Sequence, residues 1–78
     1  MDNVNDIIDM LKDRLVEATR KTVRVKTDVY ESDEPYYTFV DLYEATALEE
    51  QLRSILFAIT GKDLFWSEDD QAFFEQKD

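Results

Sequence analysis

Between residues 4 and 20 the apolar positions Val4, Ile7, Ile8, Leu11, Leu15 and Ala18 recur at i, i+3, i+4 and i+7, the spacing of one face of an α-helix. Asn3 precedes them as an N-cap, and Asp6, Asp9, Asp13 and Glu17 fall on the opposite face. The pattern predicts a helix over about 4–20. From Thr22 the period shortens. In TVRVKTDVYE, Val23, Val25 and Val29 take alternate positions, and PYYTFVDLYE resumes the β-branched and aromatic run after a short polar break. Two such runs are the signature of a hairpin, expected over about 22–44 with Pro35 on the turn flank.

The hairpin register follows from its side chains. If Ser32 opposes Pro35, then Val29 meets Thr38, Thr27 meets Val40 and Val25 meets Leu42 on the core face, because opposed residues of an antiparallel pair share a face. A slip by one residue would bury Asp41 against Val25 without a partner. The other face then sets Arg24 by Tyr43, Lys26 by Asp41, Asp28 by Phe39 and Tyr30 by Tyr37. It is charged and aromatic together.

TALE at 46–49 reads as a capping box, with Thr46 as N-cap and Glu49 at the third helical position. It opens a helix over about 47–60 that ends at Gly61. The apolar face of that helix is Leu48, Leu52, Ile55, Leu56 and Ile59, with Phe57 pointing the other way. Ser67 reads as the N-cap of a short helix over about 68–76, whose first turn holds Glu68, Asp69 and Asp70. Leu64, Phe65, Trp66, Phe73 and Phe74 are expected to close the core. The expected fold is α+β: one domain over 1–78, with the hairpin and helices in two layers.

With 44% apolar and 13% aromatic residues, the 78-residue chain can form a packed core, though a chain this short buries only roughly 60% of its unfolded surface. The formal charge is −10, and it is unevenly spread. Lys12, Arg14, Arg20, Lys21, Arg24 and Lys26 crowd one stretch, whereas residues 28–50 hold Asp28, Glu31, Asp33, Glu34, Asp41, Glu44, Glu49 and Glu50 and no base. Such a balance disfavours direct contact with nucleic acid or an anionic membrane.

The chain has no Cys and no His, and its one Gly cannot build a phosphate-cradling loop. Thiol or imidazole catalysis and the usual zinc sites are thereby excluded. The acidic stretches ESDE and SEDD lack the alternating ligands of a calcium loop. No catalytic residue, metal or cofactor is expected. The acidic start and the short apolar run ILFAI give neither a signal peptide nor a membrane span, so the expected location is the cytoplasm.

Acids around exposed aromatics suit a surface that binds a basic, partly apolar groove: the charges steer encounter and the rings anchor it. The expected partner-binding residues are Asp28, Tyr30, Glu31, Asp33, Glu34, Tyr37, Phe39, Asp41 and Tyr43. A partner that is a basic nucleic-acid-binding enzyme would make this chain a non-enzymatic inhibitor acting by nucleic-acid mimicry. An acidic chain of this size, opening with the helix NVNDIIDMLKD, continuing as a hairpin and closing with SEDDQAFFE, resembles the small phage-encoded anti-CRISPR proteins. The resemblance implies occupation of a CRISPR effector's DNA-binding groove. Three alternatives stay open: a homodimeric or larger adaptor paired through the aromatic hairpin face, an antitoxin or immunity protein neutralising a basic toxin, and an accessory protein whose charge serves only solubility.

Overall fold

Neither glycine nor proline interrupts the chain before Pro35, and the apolar face that Leu15 and Ala18 establish is continued by Thr22, Val25 and Val29 at helical spacing. In the structure, a computed structural model that describes residues 3–70 and 72–75 without the side chain of residue 75, these positions form one helix. This is α1, Asn3–Glu31. Leu15 and Val25 are fully buried along it.

The second helix, α2, runs Phe39–Thr60. Thr38 is its N-cap: Thr38 Oγ1 accepts the Asp41 N–H at 3.2 Å, and Asp41 Oδ2 accepts the Thr38 N–H at 2.9 Å. This reciprocal pair satisfies two of the donors that every helix start leaves open. At the far end Gly61 takes φ 72° and donates its N–H to the Phe57 carbonyl at 2.7 Å, a left-handed cap that suits glycine.

The hairpin expected over 22–44 is therefore corrected. Residues 22–31 are the end of α1, 32–38 are a loop, and 39–44 are the first turns of α2. Val25 and Val29 satisfied a period of two and a period of 3.6 alike. The helical alternative wins because it buries Val25 completely on the face shared with Leu15 and Ala18. The N-terminal helix accordingly continues past 20 to Glu31. The 47–60 helix begins eight residues earlier, with Thr46 in its interior and Glu49 receiving Arg53 Nη2 at 3.0 Å instead of a backbone N–H.

The tail is corrected as well. β1 (Leu64–Ser67) pairs antiparallel with β2 (Ala72–Glu75), with Phe65 opposite Phe74 and Trp66 opposite Phe73. Of the short helix expected over 68–76, residues 68–70 are a turn and 72–75 a strand, while 71 and 76 lie outside the described residues. Ser67 does accept the Asp70 N–H, at 3.4 Å, but this N-cap-like bond closes a turn. Pairing of the flanking aromatics across the strands turns the chain back on itself.

The α+β class holds, with the sheet and helices differently placed. The helices lie antiparallel, and their core of Leu15, Ala18, Leu52 and Leu56 is completed by Leu64 of β1, with Ile8, Leu11 and Phe73 packed against it. The hairpin turns Leu64, Trp66 and Phe73 toward the helices and Phe65 and Phe74 to solvent. Trp66 and Phe73 meet edge-on at 4.8 Å, and the Arg53 guanidinium lies 5.8 Å from the Phe73 ring centre. The molecule measures 49 × 22 × 19 Å, its long axis set by α1, since 29 residues at about 1.5 Å each span roughly 43 Å. Among the described residues, no helix is long and apolar enough to cross a membrane.

Candidate protein-binding tip

The loop 32–38 draws the end of α1 and the start of α2 into one tip. Asp28 Oδ2 accepts the backbone N–H of Tyr37 at 2.8 Å, tying the last turn of α1 across the loop. Tyr37 is half-buried and stands edge-on to Tyr36, their ring centres 5.1 Å apart. Tyr30 of α1 meets Phe39 of α2 at 5.7 Å and an interplanar angle of 80°, the edge-to-face arrangement that the ring quadrupoles favour. Tyr43 lies one turn beyond Phe39 and is 75% exposed.

All nine residues expected from the sequence converge here, carried by helix ends and a loop and not by a sheet face. They divide by what they do. Asp28, Tyr37 and Asp41 hold the tip in shape. Tyr30, Glu31, Asp33, Glu34, Phe39 and Tyr43 point to solvent, and Glu31, Asp33 and Glu34 make no ion pair among the described residues. The expected Lys26–Asp41 pair does not form. Asp41 is held at the Thr38 cap, and Lys26 instead lines a cleft of about 350 Å³ with Val23, Thr27, Tyr30, Glu31 and Glu68.

Two tip residues escaped the sequence reading. Tyr36, 84% exposed, is the most exposed of the large apolar or aromatic side chains described, and Val40 is exposed beside Phe39. Hairpin alternation had assigned Val40 to the core face opposite Thr27 and gave Tyr36 no role. Pro35, immediately before Tyr36, was the available signal, since a proline and its neighbours favour a loop over a strand interior.

The tip brings two opposed helix poles together. Asp28 and Glu31 occupy the last turn of α1, where no base is present. A carboxylate there faces the negative pole of α1, an unfavourable term of about 0.3–1 kcal/mol at low salt, which the N-terminus of α2 at the same tip and, for Asp28, the Tyr37 N–H offset. No family model, no curated protein and no solved structure matches this chain. Its tip must therefore be read from its own chemistry. Among the described residues, no three acidic side chains converge to hold a metal ion. What the tip offers is two pairs of packed rings at the junction of the helices, beside the Thr38 cap of α2, with Glu31, Asp33 and Glu34 exposed among them.

Proposed function

We propose that this chain is a cytoplasmic, non-enzymatic inhibitor whose helical tip docks in the basic, partly apolar groove of a nucleic-acid-binding enzyme and excludes the nucleic acid. The observation that carries the reading is the exposure of Glu31, Asp33 and Glu34, without an ion pair among the described residues, beside the exposed rings of Tyr30, Tyr36, Phe39 and Tyr43. Charge steers the approach to a basic surface, and exposed rings on rigid elements supply the desolvated anchors.

The narrower form of the proposal, an anti-CRISPR protein, now rests on size and acidity. The order of elements behind that resemblance is replaced by two helices followed by a hairpin. The test is competition for duplex DNA on a panel of CRISPR effector nucleases and other basic nucleases, using the intact chain. Glu31→Gln, Asp33→Asn and Glu34→Gln combined should leave the fold intact and slow association at least tenfold at low salt, with little effect at high salt. Inhibition that is indifferent to these three changes rules out the electrostatic tip.

A further inference from the structure

The sequence-predicted apolar face of α2 is wider than one copy of the chain covers. Leu52 and Leu56 are buried, but Leu48 is 50% exposed and Ile55 is 39% exposed, and Ile59 is exposed with them. The β-hairpin explains which side is left open. At about 100° per residue, Arg53, which meets Phe73, stands on one flank of the Leu52–Leu56 line. Leu48, Ile55 and Ile59 stand on the other. The same division holds on α1. Val23, Lys26 and Tyr30 face the cleft that Glu68 of the hairpin turn closes. Arg14, Ala18 and Lys21 line a separate cleft of about 260 Å³ with Leu48 and Leu52.

The open side has a regular spacing. Ile7, Arg14 and Lys21 recur every seven residues on α1, followed four later by Leu11, Ala18 and Val25. On α2 the same spacing gives Asp41, Leu48 and Ile55, followed by Ala45, Leu52 and Ile59. The second member of each set is the one that turns inward over most of the length. The second seam of each helix is apolar throughout, whereas the first is mixed, with Arg14, Lys21 and Asp41 beside Ile7, Leu48 and Ile55; the seven-residue spacing is that of helices packed at a shallow angle in four-helix bundles. One copy of this chain supplies half of such a bundle.

We infer that a second copy of this chain docks on the face opposite the β-hairpin, so that two helix pairs form a four-helix bundle with the β-hairpins outermost. Charge selects both the occupant and the axis. Lys21 of α1 lines one cleft with Glu44 and Asp41 of α2, Tyr37, Ala18, Ala45 and Leu48, and because Asp41 is held at the Thr38 cap, Glu44 is the free acid at the level of Lys21. Neither forms an ion pair among the described residues. A two-fold axis parallel to the helices lays α1 of each copy antiparallel on α2 of the other, and brings each Lys21 to the second copy's Glu44. The perpendicular in-plane axis would stack α1 on α1 and α2 on α2, and would form neither pair. The parallel axis also places both acidic tips at one end of the dimer.

Size-exclusion chromatography with light scattering on the full chain tests this. The expected mass is twice the 9.2 kDa of the chain. Leu48→Glu and Ile55→Glu, both at exposed positions, should return it to the single mass while circular dichroism shows the helices intact. Lys21→Glu should weaken the dimer at least tenfold, and Lys21→Glu with Glu44→Lys should restore it. A single-chain mass at every concentration up to about 1 mM overturns the inference. So does a dimer that survives Leu48→Glu, or one that Phe39→Ala or Tyr43→Ala dissolves instead, because the interface would then be the tip. The inhibitor reading is tested separately, by competition for DNA, and stands or falls without this dimer.

Discussion

At the scale of single residues, burial decides which side chains hold the fold. Leu56 is 1% exposed at the centre of the core, and its truncation to alanine should cost about 2–5 kcal/mol in urea unfolding, a large part of what so small a domain possesses. Phe65→Ala, on the solvent face of the hairpin, should cost much less. Thr19 makes the opposite case. It is buried, and its hydroxyl meets no hydrogen-bond partner among the described residues, whereas Thr22 and Thr60 donate theirs to the carbonyls of Ala18 and Leu56 at 2.9 and 2.8 Å. Valine keeps the shape and removes the unpaired hydroxyl, so Thr19→Val should raise stability by about 1 kcal/mol. A loss of similar size would mean that this hydroxyl is satisfied. Neither residue is singled out by its letter. Leu56 and Leu48 read alike in the sequence, and only the packing separates them.

At the scale of elements, two threonines compete to start α2. Thr38 followed by Asp41, and Thr46 followed by Glu49, both match the capping box. The structure uses the first. Thr38→Ala should therefore cost about 0.5–2 kcal/mol, while Thr46→Ala, in a helix interior where alanine is the better former, should be neutral or slightly stabilising. Chemical denaturation of both variants checks the assignment, and the reverse ranking would put the helix start at Thr46. The elements that sequence periodicity rendered correctly are those with a single compatible period: α1 through Ala18, and α2 from Leu48 to its stop at Gly61. Residues 22–44 were misread because the valines at 25 and 29 fit alternation and a helix face alike. Ser67 was misread because N-cap chemistry serves a turn as well as a helix. The residues expected to bind a partner nonetheless stay together, since acids and rings adjacent in sequence remain adjacent whether a strand or a helix end carries them. Tyr36 and Val40 were lost because their facing depends on which of the two it is.

At the scale of the whole molecule, a formal charge of −10 repels itself in the compact state. Raising the salt from about 10 to 500 mM should move the urea midpoint upward, because screening shortens the reach of that repulsion from about 30 Å to a few ångströms. The same change should weaken binding of the tip to a basic partner. The triple neutralisation of Glu31, Asp33 and Glu34 should likewise stabilise the free protein while weakening the complex, and a midpoint lowered by neutralisation would contradict the account of the tip. Composition alone excluded thiol, imidazole and phosphate-loop chemistry, because those activities need residue types the chain lacks. The sequence alone also set the acidic, aromatic character of 28–43, since local composition does not depend on folding. Tertiary structure decided whether 22–44 would be strand or helix, which half of the apolar face of α2 would be buried, and which of the clustered acids would be bonded and which left free. Those outcomes rest on contacts between residues distant in the chain, such as Leu15 and Ala18 with Leu52, Leu56 and Leu64, whose burial outweighs the small local preferences that periodicity reports.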